Sequence, residues 1–282
     1  MNRARPRSRT HGLGTVLLYG GLTLWLLLAA LPIAWTALIS LRSYVDAFSA
    51  PLQWLAPVTL ENYRGLWVDQ AFYRNAINTM LVTLGTVTIS LTVGCLAGYA
   101  LARYKGNLGF WLLIIALVFR ALPHSTLLPS FHALFAAMGI SNTLFSLVAV
   151  LVAINQPFTI WMLRSFFASI PQELDEAAMV DGCTRLQAFR RVIIPVMWPG
   201  VVTTGLFSFL LAYNDFMLST ALTNADKMTM PAAIAGAITA ESDALLMQGV
   251  AGSVSITIPL IILVALFQKQ IVSGLTQGAV KG

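Results

Sequence analysis

Six long apolar stretches, separated by more polar segments, dominate the pattern of hydrophobic positions along the chain. Each stretch is long enough to cross roughly 30 Å of hydrocarbon as a helix, and none shows the alternation of a barrel strand. Backbone polar groups in lipid must be satisfied within the protein, which favours helices. The predicted spans cover residues 13–39, 76–101, 108–128, 143–163, 201–222 and 250–267.

Two segments depart from this regular pattern. The third span contains Arg120, Pro123 and His124, and the apolar piece that follows at 131–138 is predicted to form a short outer-face or re-entrant helix. The segment 40–75 is polar and mixed, and it is predicted to be an extracytoplasmic loop with some short helix. The whole pattern predicts an all-α integral membrane protein with six transmembrane helices.

Composition removes the alternative of a water-soluble domain. Hydrophobic residues make up 57% of the 282 residues and charged residues only 10%, against a usual charged share of about 25%. Too few polar side chains remain to cover a soluble surface, and so apolar a chain does not stay disordered. Cys95 and Cys183 lie in different segments without metal-ligand spacing, so neither a disulfide framework nor a metal site is expected.

The net charge of +6 raises the question of a nucleic-acid partner, and the positions of the basic residues answer it. Basic residues on the cytoplasmic side of membrane proteins are topology signals. With both termini inside, twelve of the seventeen Lys and Arg residues face the cytoplasm, in clusters beside spans, so membrane lipid and not nucleic acid is the expected neighbour. These twelve are Arg3, Arg5, Arg7, Arg9, Arg103, Lys105, Arg164, Arg185, Arg190, Arg191, Lys269 and Lys281.

Catalytic motifs are missing from the sequence. It contains no G-x-x-x-x-G-K-[ST] phosphate loop and no G-x-S-x-G turn. His11, His124 and His132 do not cluster with carboxylates, and Asp215 is the main ionisable residue within a predicted span. Ion-coupled transporters carry several such groups at mid-membrane. We therefore expect no catalytic residue and a source of energy outside this chain.

The segment 165–197, between the fourth and fifth spans, carries helix signals throughout. Ser169 and Gln172 have the spacing of a capping box, acidic residues crowd the turn that follows, and Gly182 is a natural helix end. Thr184 and Gln187 offer a second capping box. The basic amphipathic helix after it is expected to end before Pro195. The pattern predicts two short helices joined at an angle at Gly182.

Two functions are open for this helix pair on physical grounds. It is either an amphipathic hairpin whose arginines meet lipid phosphates, or a docking element for a cytosolic protein. Ala177 and Ala178 favour docking, because small side chains let a helix approach another protein closely.

The same segment resembles a known signature. The run Glu176-Ala177-Ala178-x-x-Asp181-Gly182-Cys183, followed by Phe189, Ile194-Pro195 and Pro199, resembles the EAA motif of ATP-binding cassette (ABC) importer permeases, with Cys183 where alanine is usual. Asn214-Asp215-Phe216 is similar to a W-N-[DE]-F element of carbohydrate permeases, with Tyr213 replacing the Trp. The end of the chain, from Gly274 to Gly282, is similar to the tail of MalG-like permeases. The resemblance covers roughly residues 60–282.

The resemblance implies a type I ABC importer permease fold in the bacterial inner membrane. We expect five segments along the chain. They are a basic tail (1–12), a first span (13–39), an outer loop (40–75), a five-helix permease core (76–268) that contains the coupling loop (165–197), and a cytoplasmic tail (269–282). The implied partners are a second homologous permease, two ATPase subunits that carry ATP–Mg, and an extracytoplasmic solute-binding protein. The chain itself is implied to need no cofactor and not to be an enzyme.

The implied cargo is a mono- or oligosaccharide or a glycoside. A polyol, glycerol phosphate or another sugar derivative is the alternative; a phosphate or sulfonate would favour basic residues in the cavity, and only Arg120 is a candidate. A stand-alone secondary transporter is the alternative from another class, which uptake without an ATPase would support.

The resemblance also assigns site residues. Glu176 is expected to anchor or orient the coupling helix, and Ala178→Asp is expected to uncouple transport by burying a charge at the ATPase contact. Hydrogen-bonding and aromatic side chains of spans four and five suit a sugar. The expected ATPase contacts are Glu176, Ala177, Ala178, Asp181, Gly182, Phe189 and Pro195, with Gly278 and Lys281 from the tail, and the expected substrate pathway is Asn155, Gln156, Tyr213, Asn214 and Asp215.

Overall fold

A computed structural model describes residues 10–49 and 57–279, with side chains described for 14–49 and 57–271. Every regular element in these ranges is helical, as the sequence predicts. The helices are α1 (Thr10–Ser40), α2 (Tyr44–Phe48), α3 (Glu61–Arg64), α4 (Tyr73–Arg103), α5 (Leu108–Arg120), α6 (His124–Ala137), α7 (Leu144–Ala168), α8 (Glu173–Val180), α9 (Arg185–Ala188), α10 (Ile194–Tyr213), α11 (Met217–Leu222), α12 (Met230–Ile238) and α13 (Asp243–Ala279).

Five helical segments of the described chain are long and apolar enough to cross a membrane, and a bent pair supplies a sixth crossing if it counts as one. The bent pair is α5 and α6, which meet at 95°. A continuous third span over 108–128 is therefore wrong. Pro123 has no N–H, and it disfavours helical backbone in the residue before it, so α5 ends at Arg120 and α6 absorbs most of the piece predicted at 131–138.

The fifth and sixth spans also differ from the prediction. The helix α10 ends at Tyr213, and α11 begins only at Met217, so the predicted span over 201–222 is broken at its end. The expected stop before Pro195 is wrong, because α9 continues through a π-helical turn at Phe189–Ile193 into α10. Pro195 is the second residue of α10 and directly follows the π-helical turn, so the helix runs through it. The last helix begins at Asp243, seven residues before the predicted start.

The helices α4 and α7 form the tightest pair, and small residues allow it. One face of α4 is fully buried and carries hydroxyls and glycines at helical spacing. A Cβ added at Gly94 would lie 2.9 Å from Leu163 Cδ1, and one added at Gly98 would lie 3.0 Å from the backbone nitrogen of Arg164. Small residues at such crossings bring backbones together, which is how helices associate where lipid is as apolar as their side chains.

A cluster of buried apolar side chains closes the end of the bundle where α4 and α7 finish. It joins α4, α7, the π-helical turn at Phe189–Ile193 and α10, and α8 packs beside it. By contrast, α1 presents most of its apolar side chains outward, as a helix facing lipid or another subunit does. The cluster comprises Cys95, Leu163, Phe167, Phe189, Ile193, Met197 and Val201.

Candidate functional site: the coupling helices and the central cavity

The helices α8 and α9, here called the coupling helices, are held at a fixed angle by their termini. Gly182 has φ +88°, a conformation that glycine adopts readily. Its N–H donates to Met179 O at 3.1 Å and the N–H of Cys183 donates to Ala178 O at 3.0 Å, which is the Schellman pattern of a helix end. The predicted helix end at Gly182 is confirmed.

One of the two predicted capping boxes forms. Thr184 Oγ1 accepts from the Gln187 N–H at 3.3 Å, and Gln187 Oε1 accepts from the Thr184 N–H at 2.9 Å. The cap predicted at Ser169 is wrong, because its hydroxyl donates back to Phe166 O at 2.7 Å and α8 starts four residues later. Ser169 instead satisfies a carbonyl at the end of α7.

An ion pair fastens α8 to the end of α4. Arg103 Nε donates to Asp175 Oδ2 at 2.8 Å, and the Tyr99 hydroxyl donates to Asp175 Oδ1 at 2.6 Å. Arg103 Nη1 also donates to the carbonyl oxygens of Phe167 and Ile170 at 3.2 and 3.1 Å. One guanidinium thus links the ends of α4 and α7 to the first turn of α8.

Sequence reasoning missed this contact. It treated Asp175 only as one of several acids suited to a helix N-terminus, and Arg103 only as a topology signal. The two residues are 72 positions apart, and no periodic pattern relates them. The burial of Asp175, which is 8% exposed, distinguishes it from its exposed neighbours Glu173 and Glu176.

The structure divides the expected ATPase contacts into outward and inward residues. Glu176, Ala177, Asp181, Gly182 and Pro195 are exposed. Ala178 and Phe189 are buried within this chain, so a charge at position 178 would first disturb the packing of α8 and is a poor probe of docking. In the tail, Gly278 belongs to α13, and Lys281 lies outside the described residues.

Two exposed apolar residues complete the outer surface of the coupling helices. Val180 is 87% exposed and Leu186 is 60% exposed, on either side of Gly182. They lie close in sequence to Ala177 and Asp181. The sequence analysis included neither of them among the expected ATPase contacts. A partly apolar surface with charges at its edge is typical of a contact with another protein.

A cavity of about 780 Å³ lies toward the opposite end of the bundle. Its walls come from α7, from α10, and from the two breaks in the helical pattern, between α5 and α6 and between α10 and α11. Helix breaks of this kind surround the substrate sites of many transporters. Among the lining residues are Arg120, His124, Ser125, Leu151, Asn155, Phe158, Phe207, Asn214, Asp215 and Phe216.

Three of the five residues expected on the substrate pathway line this cavity: Asn155, Asn214 and Asp215. The other two make contacts elsewhere. Gln156 Nε2 donates to Ser90 O of α4 at 3.3 Å. The buried Tyr213 donates its hydroxyl to Ile256 O of α13 at 3.0 Å, so the structure does not bring these two side chains to the cavity.

The polar residues at the α10–α11 break also shape the backbone. Asp215 Oδ1 accepts from the Leu218 N–H at 3.0 Å, and Asn214 Nδ2 donates to Leu210 O at 2.9 Å. The Leu218 N–H belongs to the first turn of α11, where no helical carbonyl reaches it, whereas Leu210 O already accepts the Asn214 backbone N–H at 3.2 Å and gains a second bond. Within the described residues, no group of three or more His, Cys, Asp or Glu side chains could hold a metal ion.

Comparison with known proteins identifies the family. Residues 90–277 match the family described as "Binding-protein-dependent transport system inner membrane component". The chain belongs to this family. As a member it is a multi-pass permease component of an ABC importer in the inner membrane and not itself an enzyme, and it works with an ATPase and a solute-binding protein.

Individual relatives and one solved structure agree with this assignment. The trehalose transport permease SugB of Mycobacterium tuberculosis is 36% identical over 90% of this chain and 93% of its own length. The trehalose/maltose permease MalG of Thermococcus litoralis is 34% identical over 97% of this chain and 99% of its own length. A bacterial ABC transporter chain, from a transporter involved in alginate import, has the same fold, with a TM-score of 0.76 at 23% identity, over 94% of this chain and 99% of that one.

Proposed function

We propose that this permease forms half of a translocation pathway for a carbohydrate, a mono- or oligosaccharide or a glycoside. The observation that carries the proposal is the cavity, which is lined by the amide and carboxylate residues Asn155, Asn214 and Asp215 together with the aromatic residues Phe158 and Phe207. Hydroxyl-binding groups beside aromatic surfaces suit a sugar ring. Relatives named for trehalose and maltose transport support the same class. A polyol, glycerol phosphate or another sugar derivative is the alternative cargo.

The coupling helices receive the motion of the ATPase in this proposal. Their outward side presents Glu176, Ala177, Val180 and Asp181, and Gly182 sets the angle between α8 and α9. Glu176 orients the contact by its charge, and Ala177 permits close approach. Pro195, exposed at the start of α10, and the tail residues Gly278 and Lys281 are proposed to lie at the same partner surface.

The helix α7 connects the two sites. Its end is bound by Arg103 at Phe167 O and, just beyond the helix, at Ile170 O, whereas Phe158 and Asn155 of the same helix line the cavity. Phe158 and Phe167 are about 14 Å apart along the axis, at 1.5 Å per residue. When ATP draws the ATPases together, α8 moves and α4 and α7 move with it, so that the cavity opens to alternate sides.

The proposed assembly contains a second homologous permease, two ATPase subunits with ATP–Mg and an extracytoplasmic solute-binding protein. Both termini lie in the cytoplasm, because this orientation places most basic residues inside. The outward apolar side chains of α1 then meet lipid or the second permease.

The direct test uses the complete importer in proteoliposomes. Solute-binding proteins loaded with candidate sugars are added outside, and ATP hydrolysis and uptake are measured together. Stimulation of both by a sugar-loaded binding protein is the expected result. Uptake that continues without any ATPase would overturn the proposal in favour of a secondary transporter, and stimulation only by a non-carbohydrate would replace the proposed cargo.

A further inference from the structure

A cationic side chain in the wall of the cavity has no acidic partner. The Arg120 guanidinium carbon lies 4.7 Å from the ring centroid of Phe158, and both residues line the cavity. Among the described residues, Arg120 forms no ion pair and its side chain makes no hydrogen bond. Stacking on a ring holds a guanidinium in place while leaving its N–H edge free to bind planar anions.

The other charged groups around the cavity do not cancel this charge. Asp215 is the acidic residue of the cavity lining, and its carboxylate already accepts the Leu218 N–H at 3.0 Å. Its negative charge is thus partly offset by backbone N–H groups at the start of α11. His124 is the remaining titratable residue of the lining. Arg120 and Asp215 therefore present opposite charges to the cavity separately, with no ion pair between them among the described residues.

We infer that Arg120, held by Phe158, determines substrate specificity by binding an anionic substituent of the transported sugar. This inference rests on the proposed function and narrows it from carbohydrates in general to sugars that carry a carboxylate, sulfonate or phosphate group. Bidentate hydrogen bonding to such a group uses the donor edge of the guanidinium. Asn155 and Asp215, on the α7 and α10–α11 walls, are left for the sugar hydroxyls.

The electrostatic part of the inference is tested without knowing the substrate. Ser125 is exposed and lines the cavity, so Ser125→Cys places a reporter thiol there in a Cys183→Ser background. The complete importer, without binding protein, is treated with a sulfonate-bearing and a trimethylammonium-bearing methanethiosulfonate. Labelling is quantified on this chain alone.

Arg120→Gln should shift the ratio of anionic to cationic labelling rates by about tenfold toward the cationic reagent, since one unit charge in a confined cleft changes local ion concentration by this order or more. The matched control is Arg74→Gln. Arg74 also lies over an aromatic ring, 5.9 Å from the centroid of Tyr73, but it does not line the cavity. The control should leave the ratio unchanged.

Protection by named sugars tests the chemical class. Glucuronate or glucose 6-phosphate should slow labelling of the reporter in the parent protein, glucose should not, and Arg120→Gln should abolish the difference. Whichever of the two anions protects more strongly identifies the group. Equal protection by glucose and glucuronate would overturn the inference. A labelling ratio that changes with the anionic lipid content of the bilayer, and does not change when either sugar is added, would also overturn it.

The two levels of the proposal fail in different ways. If the inference fails but sugar-loaded binding proteins stimulate ATP hydrolysis, the chain is a carbohydrate permease that does not select for charge. If no sugar-loaded binding protein stimulates hydrolysis, the proposed function itself fails, whatever the labelling ratio shows.

Discussion

The guanidinium of Arg103 and the carboxylate of Asp175 lie 2.8 Å apart, and both side chains are largely buried. The pair joins the last residue in α4 to the first turn of α8, and its remaining donor bonds hold the end of α7. A displacement of α8 therefore cannot leave α4 and α7 behind without breaking a charged contact. In the proposed mechanism this pair is one mechanical connection, from α8 to the cavity wall formed by α7, and the continuous helix from α9 into α10 is another.

Asp175→Ala should break this connection. Removing one member of a buried ion pair leaves the other charge uncompensated, at a cost on the order of 3 kcal/mol. We expect ATP hydrolysis to continue while sugar uptake per ATP falls severalfold, measured together in proteoliposomes. The control is Glu173→Ala, which removes an exposed acidic side chain from the same turn. It should leave the ratio of sugar uptake to ATP hydrolysis unchanged. Unchanged coupling in Asp175→Ala would show that α8 is held by other contacts.

Charges at positions 177 and 178 should have different effects. Ala177 is exposed and Ala178 is buried, so Ala177→Asp should leave the thermal stability of the permease intact and reduce co-purification of the ATPase. Ala178→Asp should lower the melting temperature, because it buries an unpaired charge in this chain. Both are measured on the detergent-purified assembly. Equal loss of stability in the two variants would contradict the outward orientation of Ala177.

Gly182→Ala should strain the junction between the coupling helices. A β-carbon at φ +88° costs about 1 kcal/mol or more, which favours other angles between α8 and α9. Uptake should fall, and Gly182→Asn should restore part of it, since asparagine tolerates this conformation better than alanine does. A fully active Gly182→Ala variant would mean that the angle is not critical.

Gly98→Ala should separate α4 from α7. The added methyl group would lie 3.0 Å from the backbone nitrogen of Arg164, which cannot rotate away, and overpacking of this kind costs about 1–3 kcal/mol. The midpoint of thermal unfolding should decrease. Gly20→Ala in α1 provides the comparison, because nothing lies within 4 Å of its added carbon. If both variants unfold at the same temperature as the parent protein, the close packing of α4 against α7 does not contribute to stability.

The helical class, most spans and the junction between the coupling helices, at Gly182 and Thr184, could be predicted because they depend on local signals. Hydrophobic runs identify spans, and Gly182, Thr184 and Gln187 act on residues within a few positions. Pro195 was misread as a helix end because the sequence does not show which N–H groups need a partner. The breaks at Pro123 and after Tyr213 were included in continuous spans because the apolar residues on both sides of each break outweigh Pro123, Asn214 and Asp215 in the hydrophobic pattern.

The sequence by itself determined the family and the signature of the coupling helices. It also determined the number of apolar crossings, if the bent pair of α5 and α6 counts as one crossing. Only the tertiary structure decided that Asp175 binds Arg103, that Ala178 and Phe189 face inward, and that Arg120 stacks on Phe158 in a cavity from which Gln156 and Tyr213 are turned away. The physical reason is distance along the chain. Helix formation is governed by neighbours three or four residues apart, whereas burial and charge pairing are set by how whole helices pack.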